Sequence, residues 1–336
     1  MRIAINGMGR IGRLLFRRLI EDNQFEIIAV NDTMDAANLG YLLKYDSVYG
    51  TLERNIVTGD GFIEAGDKKV AVFQHANPAE LPWRHLDIDV VLECTGSFTS
   101  RAGAGLHIIS GAKKVLLSTT GAPDIPLLIY GFNQSRLTPD IPIISPGGCM
   151  TNCSIHVLYI LNSISIKSAH ITILHSYTSR QELVDAPNKN FRRGRAAAES
   201  IIPVEIDVHK SLERLMPAMQ NKIASSSVRV PVANGAMAIF SVQLNDEAGI
   251  EHVNLLFKKA AQNAYAGIID YTEEPVVSLD IKGNRHSAII DGSLTSVIGN
   301  HLTVVAWFDN EYGFTSRMID WLRVIESQIH TGGTKN

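Results

Sequence analysis

The chain is poor in cysteine, in net charge and in long apolar runs. Three cysteines among 336 residues are too few for a disulfide framework and favour a reducing compartment, so we expect a cytoplasmic protein. A net charge of −3 gives no general attraction to nucleic acid or to an anionic membrane surface. No apolar stretch is long enough to cross a bilayer, and arginines interrupt the N-terminal one, which excludes a signal peptide and a membrane span.

The length and composition are typical of a soluble globular protein with more than one core. Hydrophobic residues make up 45% of the chain and charged residues 19%. Because 336 residues are many for a single hydrophobic core, we expect two domains.

The N-terminal segment has the pattern of a strand, a glycine turn, a helix and a second strand. The strand pattern "RIAI" is followed by the turn, by the helical pattern "RLLFRRLIED" and by "FEIIAVND", which ends in Asp32. A dinucleotide pyrophosphate binds at such a turn, and an acid that closes the second strand accepts hydrogen bonds from the adenosine ribose. A carboxylate there repels a 2′-phosphate, so the sequence predicts NAD rather than NADP. The predicted cofactor residues of the turn are Gly7, Gly9, Arg10, Ile11 and Gly12.

The rest of the first half alternates strand patterns with a helical segment. The strand patterns are "IDVVLECTG", "KKVLLSTT", "LLIYGFN" and "IPIISPGG", with a crossover helix over "SRAGAGLHIISGA". This alternation predicts a parallel, doubly wound sheet. Ligands bind at the carboxyl ends of such strands, so we expect Thr95, Gly96 and Ser118 beside the nicotinamide half of the cofactor. Cys94 lies within an apolar strand pattern, where a buried, inert thiol is the expectation.

Cys149 and His175 are the candidates for catalysis. Cys149 lies where a strand pattern meets the helical pattern "MTNCSIHVLYILNSI", and a helix N-terminus lowers the pKa of a thiol, so we expect a reactive thiolate. Cys153 lies one turn deeper, and two cysteines at this spacing lack the further ligands of a zinc site, so no metal is predicted. His175 ends the strand pattern "AHITIL" and can act as the base. A Cys–His pair beside a nicotinamide predicts aldehyde oxidation through a thiohemiacetal and a thioester.

The chain resembles the phosphorylating glyceraldehyde-3-phosphate dehydrogenases and the related erythrose-4-phosphate dehydrogenases. The motifs that carry the resemblance are "INGMGRIGR", "KYDSVYG", "LPW", "ECTG", "CMTNC", "LHSYT", "RRGRAAAESIIP", "VRVP" and "WFDNEYGF", and it extends from Met1 to about Ile329. The segment from "VNLLFKKAAQ" to "HSAIIDG" is more similar to the erythrose-4-phosphate enzymes, whereas "HSYT" and "RRGRAAAESIIP" are similar to bacterial glyceraldehyde-3-phosphate enzymes.

The resemblance implies a fold and a set of roles. The fold is α/β, with an NAD-binding Rossmann domain over residues 1–149, onto which a C-terminal helix over 314–330 packs back, and an α+β catalytic domain with a mixed or antiparallel sheet over 150–313. Cys149 is then the nucleophile and His175 the base, Asn310 holds the nicotinamide carboxamide with Tyr312 nearby, and the chain forms a homotetramer in which the loop from about Ser179 to Glu199 lines a neighbouring cofactor site. The implied anion-binding residues are Thr178 and Arg229 for the sugar phosphate, and Arg195 for a second anion.

Several positions depart from the family pattern. Gly148 and Met150 stand where the family usually has serine and threonine, and Ile206 and Asp207 stand where it has a threonine and a glycine. Three side chains that donate hydrogen bonds to inorganic phosphate are thereby lost, and a carboxylate is added. Arg180 replaces an acid or a threonine at the sugar-phosphate site, where an added arginine strengthens or repositions phosphate binding.

The sequence therefore predicts an NAD-dependent dehydrogenase of a phosphorylated aldose. Erythrose 4-phosphate, oxidised to 4-phosphoerythronate, is the first candidate substrate, and glyceraldehyde 3-phosphate with phosphate as acyl acceptor is the alternative. A non-catalytic NAD-binding member of the family is the alternative of another class. The sequence leaves open which aldose is oxidised, and whether water or phosphate removes the acyl group.

Overall fold

The computed structural model describes residues 1–332 and divides the chain into two compact units. Unit 1 comprises Met1–Gly148 together with the chain from Arg317 onward, and unit 2 comprises Cys149–Ser316. Unit 1 is therefore discontinuous in sequence, with unit 2 inserted between its two parts.

Unit 1 is built on one large sheet. Its helices are α1 (Arg10–Leu19), α2 (Ala36–Lys44) and α3 (Arg101–Ile109). Its strands are β1 (Arg2–Asn6), β2 (Glu26–Asn31), β3 (Tyr45–Asp46), β4 (Gly50–Thr51), β5 (Ile56–Gly59), β6 (Phe62–Ala65), β7 (Lys68–Phe73), β8 (Val90–Glu93), β9 (Lys114–Leu117) and β10 (Ile143–Ile144). Eight of these strands form the sheet in the order β10-β9-β8-β1-β2-β7-β6-β5, and β3 pairs with β4.

The strand order confirms the predicted parallel sheet. Every pair from β10 to β7 is parallel, and the order reverses at β1, which lies between β2 and β8. The antiparallel strands β5 and β6 extend one edge. The buried faces of β1 and β8 carry Ile3, Ile5, Val91 and Leu92, all fully buried. These apolar runs form central strands because both of their faces are covered.

The predicted strand over "LLIYGFN" is wrong. Only Leu127 forms a β-bridge, and the following residues turn. The Asn133 side chain causes the turn: its Nδ2 donates to the Leu127 carbonyl at 3.1 Å, and its Oδ1 accepts from the Ile129 amide at 2.6 Å. Gly131, with φ +82°, supplies the left-handed backbone that the turn requires. A side chain that bonds to the local backbone thus outcompetes the ladder of a strand.

The C-terminal part of the last helix, α7 (Tyr312–Gly332), belongs to unit 1 from Arg317 onward. It buries Trp321, whose ring lies edge-on to Tyr130 at 6.4 Å between centroids. The N-terminal ammonium of Met1 lies 3.4 Å from Glu326. The two separated parts of unit 1 therefore share one core and one ion pair.

Unit 2 contains a seven-stranded mixed sheet, as the sequence predicted. Its strands are β11 (Ile166–Ser176), β12 (Ile202–Val204), β13 (Ile223–Val230), β14 (Ala236–Leu244), β15 (Ile269–Thr272), β16 (Ala288–Ile298) and β17 (His301–Phe308), in the order β12-β13-β11-β14-β17-β16-β15. Its helices are α4 (Cys149–Leu161), α5 (Val208–Leu215), α6 (Ile250–Gln262) and the first residues of α7. Pairing is antiparallel except for β11 with β13 and β15 with β16.

Two negative findings concern the described residues, 1–332. None of their helices combines the length and the apolar character that crossing a bilayer demands. Within the same range, no three His, Cys, Asp or Glu side chains gather as a group that could hold a metal ion.

Candidate active site

The structure brings Cys149 and His175 together within unit 2. Cys149 is the first residue of α4, and His175 is the penultimate residue of β11. The Cys149 Sγ lies 3.8 Å from the His175 Nε2. The His175 Nδ1 donates to the Ser176 carbonyl at 2.7 Å, so the proton resides on Nδ1 and the Nε2 lone pair faces the thiol. The pair is thus arranged for transfer of the thiol proton to the imidazole.

Burial sets the resting charge of this pair. Burial raises the pKa of Cys149 to about 11, although the Arg229 charge acts to lower it. Burial, with a smaller contribution from Arg229, lowers the pKa of His175 to about 3. Both shifts act against the thiolate that the helix start predicts. The helix start is present as expected, but the loss of hydration outweighs it.

Cys149 is nevertheless the most acidic of the three cysteines. Burial raises the pKa of Cys94 and of Cys153 further, and each has a neighbour that adds to the shift, Glu93 and Cys149 respectively. Cys153 is fully buried, whereas Cys149 is partly accessible. The chemical contrast between the cysteines of α4 therefore agrees with the sequence expectation.

Asn310 is held by the strand that also carries the histidine. Its Oδ1 accepts from the Ser176 hydroxyl at 3.2 Å and from the Gly235 amide at 2.9 Å, and the residue is 7% exposed. The amide oxygen is thereby occupied, and the amide nitrogen is left to donate. Asp309, just before it, caps α7 by accepting from the amides of Glu311 and Tyr312 at 2.9 and 2.8 Å. Sequence analysis missed Ser176 and Asp309, although an aspartate before a helical run is a recognisable capping signal.

Arg229 is a buried cation beside the histidine. It lies on β13, directly opposite His175 on the parallel strand β11, and is 7% exposed. Its Nε and Nη1 have no hydrogen-bond partner within residues 1–332. Burial lowers its pKa to about 10, and the charges of Arg193 and Arg180 act in the same direction. A buried guanidinium with free donors, near two further arginines, has the charge and the donors to bind an anion.

Thr178 and Arg180 follow β11 in the loop after His175. The Thr178 amide and hydroxyl both donate to the Gln181 Oε1, at 3.1 and 3.0 Å, and Arg180 is exposed. The Gln181 Nε2 is buried and unbonded within the described residues. Gln181 is therefore a second donor that sequence analysis missed, and no pattern in the sequence marks it.

The residues expected to bind a second anion form ion pairs or apolar contacts with other residues of the chain. The Arg195 Nε lies 3.0 Å from the Asp185 carboxylate, and Asp207 lies 2.8 Å from Lys210, with all four side chains more than half exposed. Ile206 packs against a small core cluster that includes Ile202. The structure thus gives Arg195 a carboxylate partner and places Ile206 against an apolar cluster.

The glycine turn of unit 1 borders a pocket of about 370 Å³. Its lining includes Gly7, Gly9, Asp32, His75, Thr95 and Phe98. Gly7 has φ +91°, and a Cβ there would lie 2.5 Å from the Thr95 amide, whereas a Cβ at Gly9 would project into open space. The two Asp32 oxygens hold the amides of Met8 and Met34 at 2.6 and 3.1 Å. A glycine cradle at the start of α1 with a carboxylate at its rim fits NAD.

The remaining cofactor candidates lie outside the lining of this pocket. Gly12 packs against the Gly7 carbonyl, which a Cβ would approach to 2.0 Å, so its role is close helix–strand packing. The Arg10 side chain bonds to Asp46 at 2.7 Å. Gly96 has φ +71°, and Ser118 follows β9 and bonds to Cys94. The structure places Ile11 in the first turn of α1, and Tyr312 at the start of α7 in unit 2.

Sequence comparison identifies the protein family to which both units belong. The profile described as glyceraldehyde 3-phosphate dehydrogenase, NAD binding domain, matches residues 1–101, and the profile of the C-terminal domain of the same family matches residues 148–310. "Glyceraldehyde-3-phosphate dehydrogenase 2" of Bacillus subtilis strain 168 is 38% identical over 332 residues, which cover 98% of each chain. "Glyceraldehyde-3-phosphate dehydrogenase 1" of Streptomyces avermitilis is 39% identical over 323 residues, covering 95% of this chain and 97% of the relative. With these matches to both of its units, and with a thiol beside an imidazole in one unit and an NAD cradle in the other, the chain belongs to the glyceraldehyde-3-phosphate dehydrogenase family and is an NAD-dependent dehydrogenase.

Proposed function

We propose that the chain oxidises glyceraldehyde 3-phosphate with NAD through a thioester on Cys149. The observation that carries the proposal is Arg229, whose buried, unbonded Nε and Nη1 lie on the strand next to His175. A phosphate dianion on the substrate supplies the charge and the acceptors that this guanidinium lacks. The relatives named glyceraldehyde-3-phosphate dehydrogenase support this substrate over erythrose 4-phosphate.

The mechanism starts from the neutral pair. Cys149 Sγ adds to the aldehyde carbon while the His175 Nε2, 3.8 Å away, takes the thiol proton and returns it to the new alkoxide, giving a thiohemiacetal. NAD, when bound, supplies the acceptor for the hydride on that carbon. His175 removes the hydroxyl proton as the thioester forms, and the fixed Nδ1–H keeps its Nε2 available. With NAD bound, Asn310, whose amide oxygen is already occupied, would donate from its amide nitrogen to the nicotinamide carboxamide.

Erythrose 4-phosphate is the second candidate substrate, with water as the acyl acceptor. Arg195 is paired with Asp185, and Gly148, Met150 and Ile206 offer no donating side chain. The sequence suggested that Asp207 would repel an anion, but Asp207 is ion-paired with Lys210. The argument against phosphate as the acyl acceptor therefore rests on the missing hydrogen-bond donors. Water needs only access and a base, which His175 provides.

We also propose that the chain is a cytoplasmic homotetramer. The loop over residues 179–199 exposes Leu183, Val184 and Phe191, at 66%, 75% and 89%, which supports a contact with a second copy.

The test measures NADH formation at 340 nm with each aldehyde, with and without inorganic phosphate. We expect a higher kcat/KM with glyceraldehyde 3-phosphate than with erythrose 4-phosphate. The reverse order would make erythrose 4-phosphate the proposed substrate. A free acid as product, with little dependence on phosphate, would support hydrolysis, whereas a stoichiometric acyl phosphate would refute it. The absence of turnover with both would support the non-catalytic alternative.

A matched variant tests the acceptor. Gly148→Ser with Met150→Thr restores two hydroxyl donors, and a Cβ at Gly148 meets nothing within 4 Å, so the change fits. If the missing donors determine the acceptor, this variant gains phosphate stimulation. If it still forms the thioester but ignores phosphate, these positions do not set the acceptor.

A further inference from the structure

A chain of buried side chains links the carboxyl ends of neighbouring strands in unit 1. The Asn6 Nδ2, at the end of β1, donates to the Glu93 Oε2, at the end of β8, at 2.5 Å. The Asn31 Nδ2, at the end of β2, donates to the Asn6 Oδ1 at 2.7 Å and to the His75 carbonyl, beyond β7, at 2.9 Å. The His75 amide returns a bond to the Asn31 Oδ1 at 2.9 Å. The link crosses the sheet edge at which the NAD cradle lies.

Glu93 is the one charged group in this link. It is 2% exposed and accepts from four donors: the Asn6 amide at 2.5 Å, the His107 Nε2 at 2.9 Å, and the amide and hydroxyl of Thr95 at 2.8 and 2.5 Å. No lysine or arginine is among the partners that the structure gives it within residues 1–332. A buried carboxylate is stabilised here by hydrogen bonds alone, which requires every donor to be aimed at it.

The hydrogen bonds fix the tautomer of His107. The Trp83 Nε1–H can only donate, and it donates to the His107 Nδ1 at 3.0 Å. The Nδ1 must therefore be the acceptor, and the ring proton resides on Nε2, pointing to Glu93. His107 and Trp83 are fully buried, so the relay from Trp83 through His107 to Glu93 has no access to water. A neutral histidine thus orients the carboxylate.

Both oxygens of Glu93 act on the wall of the cofactor pocket. Thr95, Asn6, Asn31 and His75 all line that pocket. Gly7 is packed so closely on the turn after β8 that a Cβ would lie 2.5 Å from the Thr95 amide, the same amide that Glu93 holds. A shift of the carboxylate therefore moves Thr95, and with it the surface on which the Gly7 turn rests.

We propose that Glu93 is a positioning residue for NAD, which holds the Gly7 turn and the Thr95 turn in register through Asn6 and Thr95, and that His107 and Trp83 keep its carboxylate oriented. Glu93 does not itself contact the cofactor in this proposal. Its role is to fix the distance between the turn after β1 and the turn after β8, which both line the cofactor pocket.

The test is the exchange Glu93→Gln, which keeps the shape and removes the charge. In either orientation the new amide sets its NH2 group against N–H donors, those of Asn6 and His107 or that of Thr95. We expect the Kd for NAD, measured by titration calorimetry on the full chain, to rise about tenfold or more, because a hydrogen bond to a charged group is worth at least that factor. Alkylation of Cys149 by iodoacetamide in NAD-free protein is expected to stay at the parent rate, because Cys149 belongs to unit 2.

Asp89→Asn is the matched control. Asp89 precedes the same strand at its amino end, and its carboxylate accepts from the Arg2 amide and the Lys113 ammonium, both at 2.8 Å. The control is expected to lower the Tm and leave the Kd for NAD unchanged. If Glu93→Gln lowers the Tm but leaves the Kd within twofold of the parent, Glu93 is structural only and the proposal is wrong.

A second variant, Trp83→Phe, tests the relay by itself if Glu93→Gln fails to fold, and the double variant adds a test if both single variants fold. Trp83→Phe removes the donor to His107 Nδ1, and we expect the Kd for NAD to rise about two- to tenfold, the range for a neutral hydrogen bond. The double variant combines Trp83→Phe with Glu93→Gln. In it, His107 can carry its proton on Nδ1, so that its Nε2 accepts a hydrogen bond from the side-chain NH2 group introduced at position 93. The double variant is therefore expected to bind NAD more tightly than the product of the two single effects predicts. Additive effects, or an unchanged Kd in Trp83→Phe, would overturn the relay.

Discussion

Replacing Arg229 by leucine tests the assignment of the phosphate site. The side chain is 7% exposed, and its Nε and Nη1 have no partner within the described residues. If both donate to the substrate phosphate, each charged hydrogen bond contributes about 1.5–3 kcal/mol. The sum, about 3–6 kcal/mol, predicts a fall of about 10²–10⁴-fold in kcat/KM for glyceraldehyde 3-phosphate.

The same change should reduce kcat/KM much less for glyceraldehyde that carries no phosphate, because only the effect of Arg229 on the thiol is then lost. The Arg229 charge acts to lower the pKa of Cys149, so its removal raises that pKa further and slows attack, by about tenfold for each pKa unit. The apo protein should become more stable, by about 1 kcal/mol or more, because an uncompensated buried charge is removed. Initial rates at 340 nm with both aldehydes, and urea unfolding, measure these effects.

The comparison between the two aldehydes separates phosphate binding by Arg229 from its effect on the pKa of Cys149. An equal loss of kcat/KM with and without the substrate phosphate would refute phosphate binding by Arg229 and leave only its effect on the thiol. Arg101→Leu is the control, because Arg101 makes an exposed ion pair with Asp124 at 3.0 Å and should change neither rate.

Four further predictions rest on the same geometry. Iodoacetamide should alkylate Cys149 before the other two cysteines, at a rate that rises with pH towards its raised pKa of about 11. Mass spectrometry of the labelled peptides gives the order of alkylation, and earlier labelling of Cys94 or Cys153 would contradict this prediction. His175→Asn should slow NADH formation about 10²–10⁴-fold, the contribution of a positioned base, and a smaller loss would remove His175 from that role. Asp32→Asn should narrow the preference for NAD over NADP in kcat/KM, since it removes the charge that repels a 2′-phosphate, and an unchanged ratio would contradict this. Ser176→Ala should raise KM for NAD about two- to tenfold by freeing the Asn310 amide, with Cys149 alkylation unchanged, and a parallel loss of both would mean a general disturbance of the site.

The N-terminal half was predictable where a local pattern fixes the structure. Gly7 requires its positive φ, Gly12 lies against the Gly7 carbonyl, and Asp32 directly follows the next strand, all within one continuous segment. The same approach failed at "LLIYGFN", because the apolar spacing was that of a strand and the Asn133 side chain decided the turn. A hydrophobic pattern indicates which residues are buried. It does not show where a side chain bonds to the local backbone in place of the hydrogen bonds of a strand.

The catalytic unit was less predictable because its contacts join distant parts of the chain. Ser176 bonds to Asn310 across 134 residues, and Arg229 lies opposite His175 only because β13 pairs with β11. No periodicity in the sequence encodes these neighbours. The direction of the Cys149 pKa shift was mispredicted for a related reason: its position at a helix start is visible in the sequence, whereas the burial that raises its pKa is a property of the folded unit.

The discontinuity of unit 1 has a consequence for the order of folding during synthesis. Its core includes Trp321, and its first residue pairs with Glu326, so the N-terminal 148 residues leave the ribosome without groups that their own core requires. At about 5–20 residues per second, the whole of unit 2 is made in about 10–30 seconds before those groups appear. Unit 2, by contrast, is continuous from Cys149 to Ser316 and complete as soon as it emerges. The catalytic unit can therefore reach its native fold first, and the cofactor unit, although it is synthesised first, closes last.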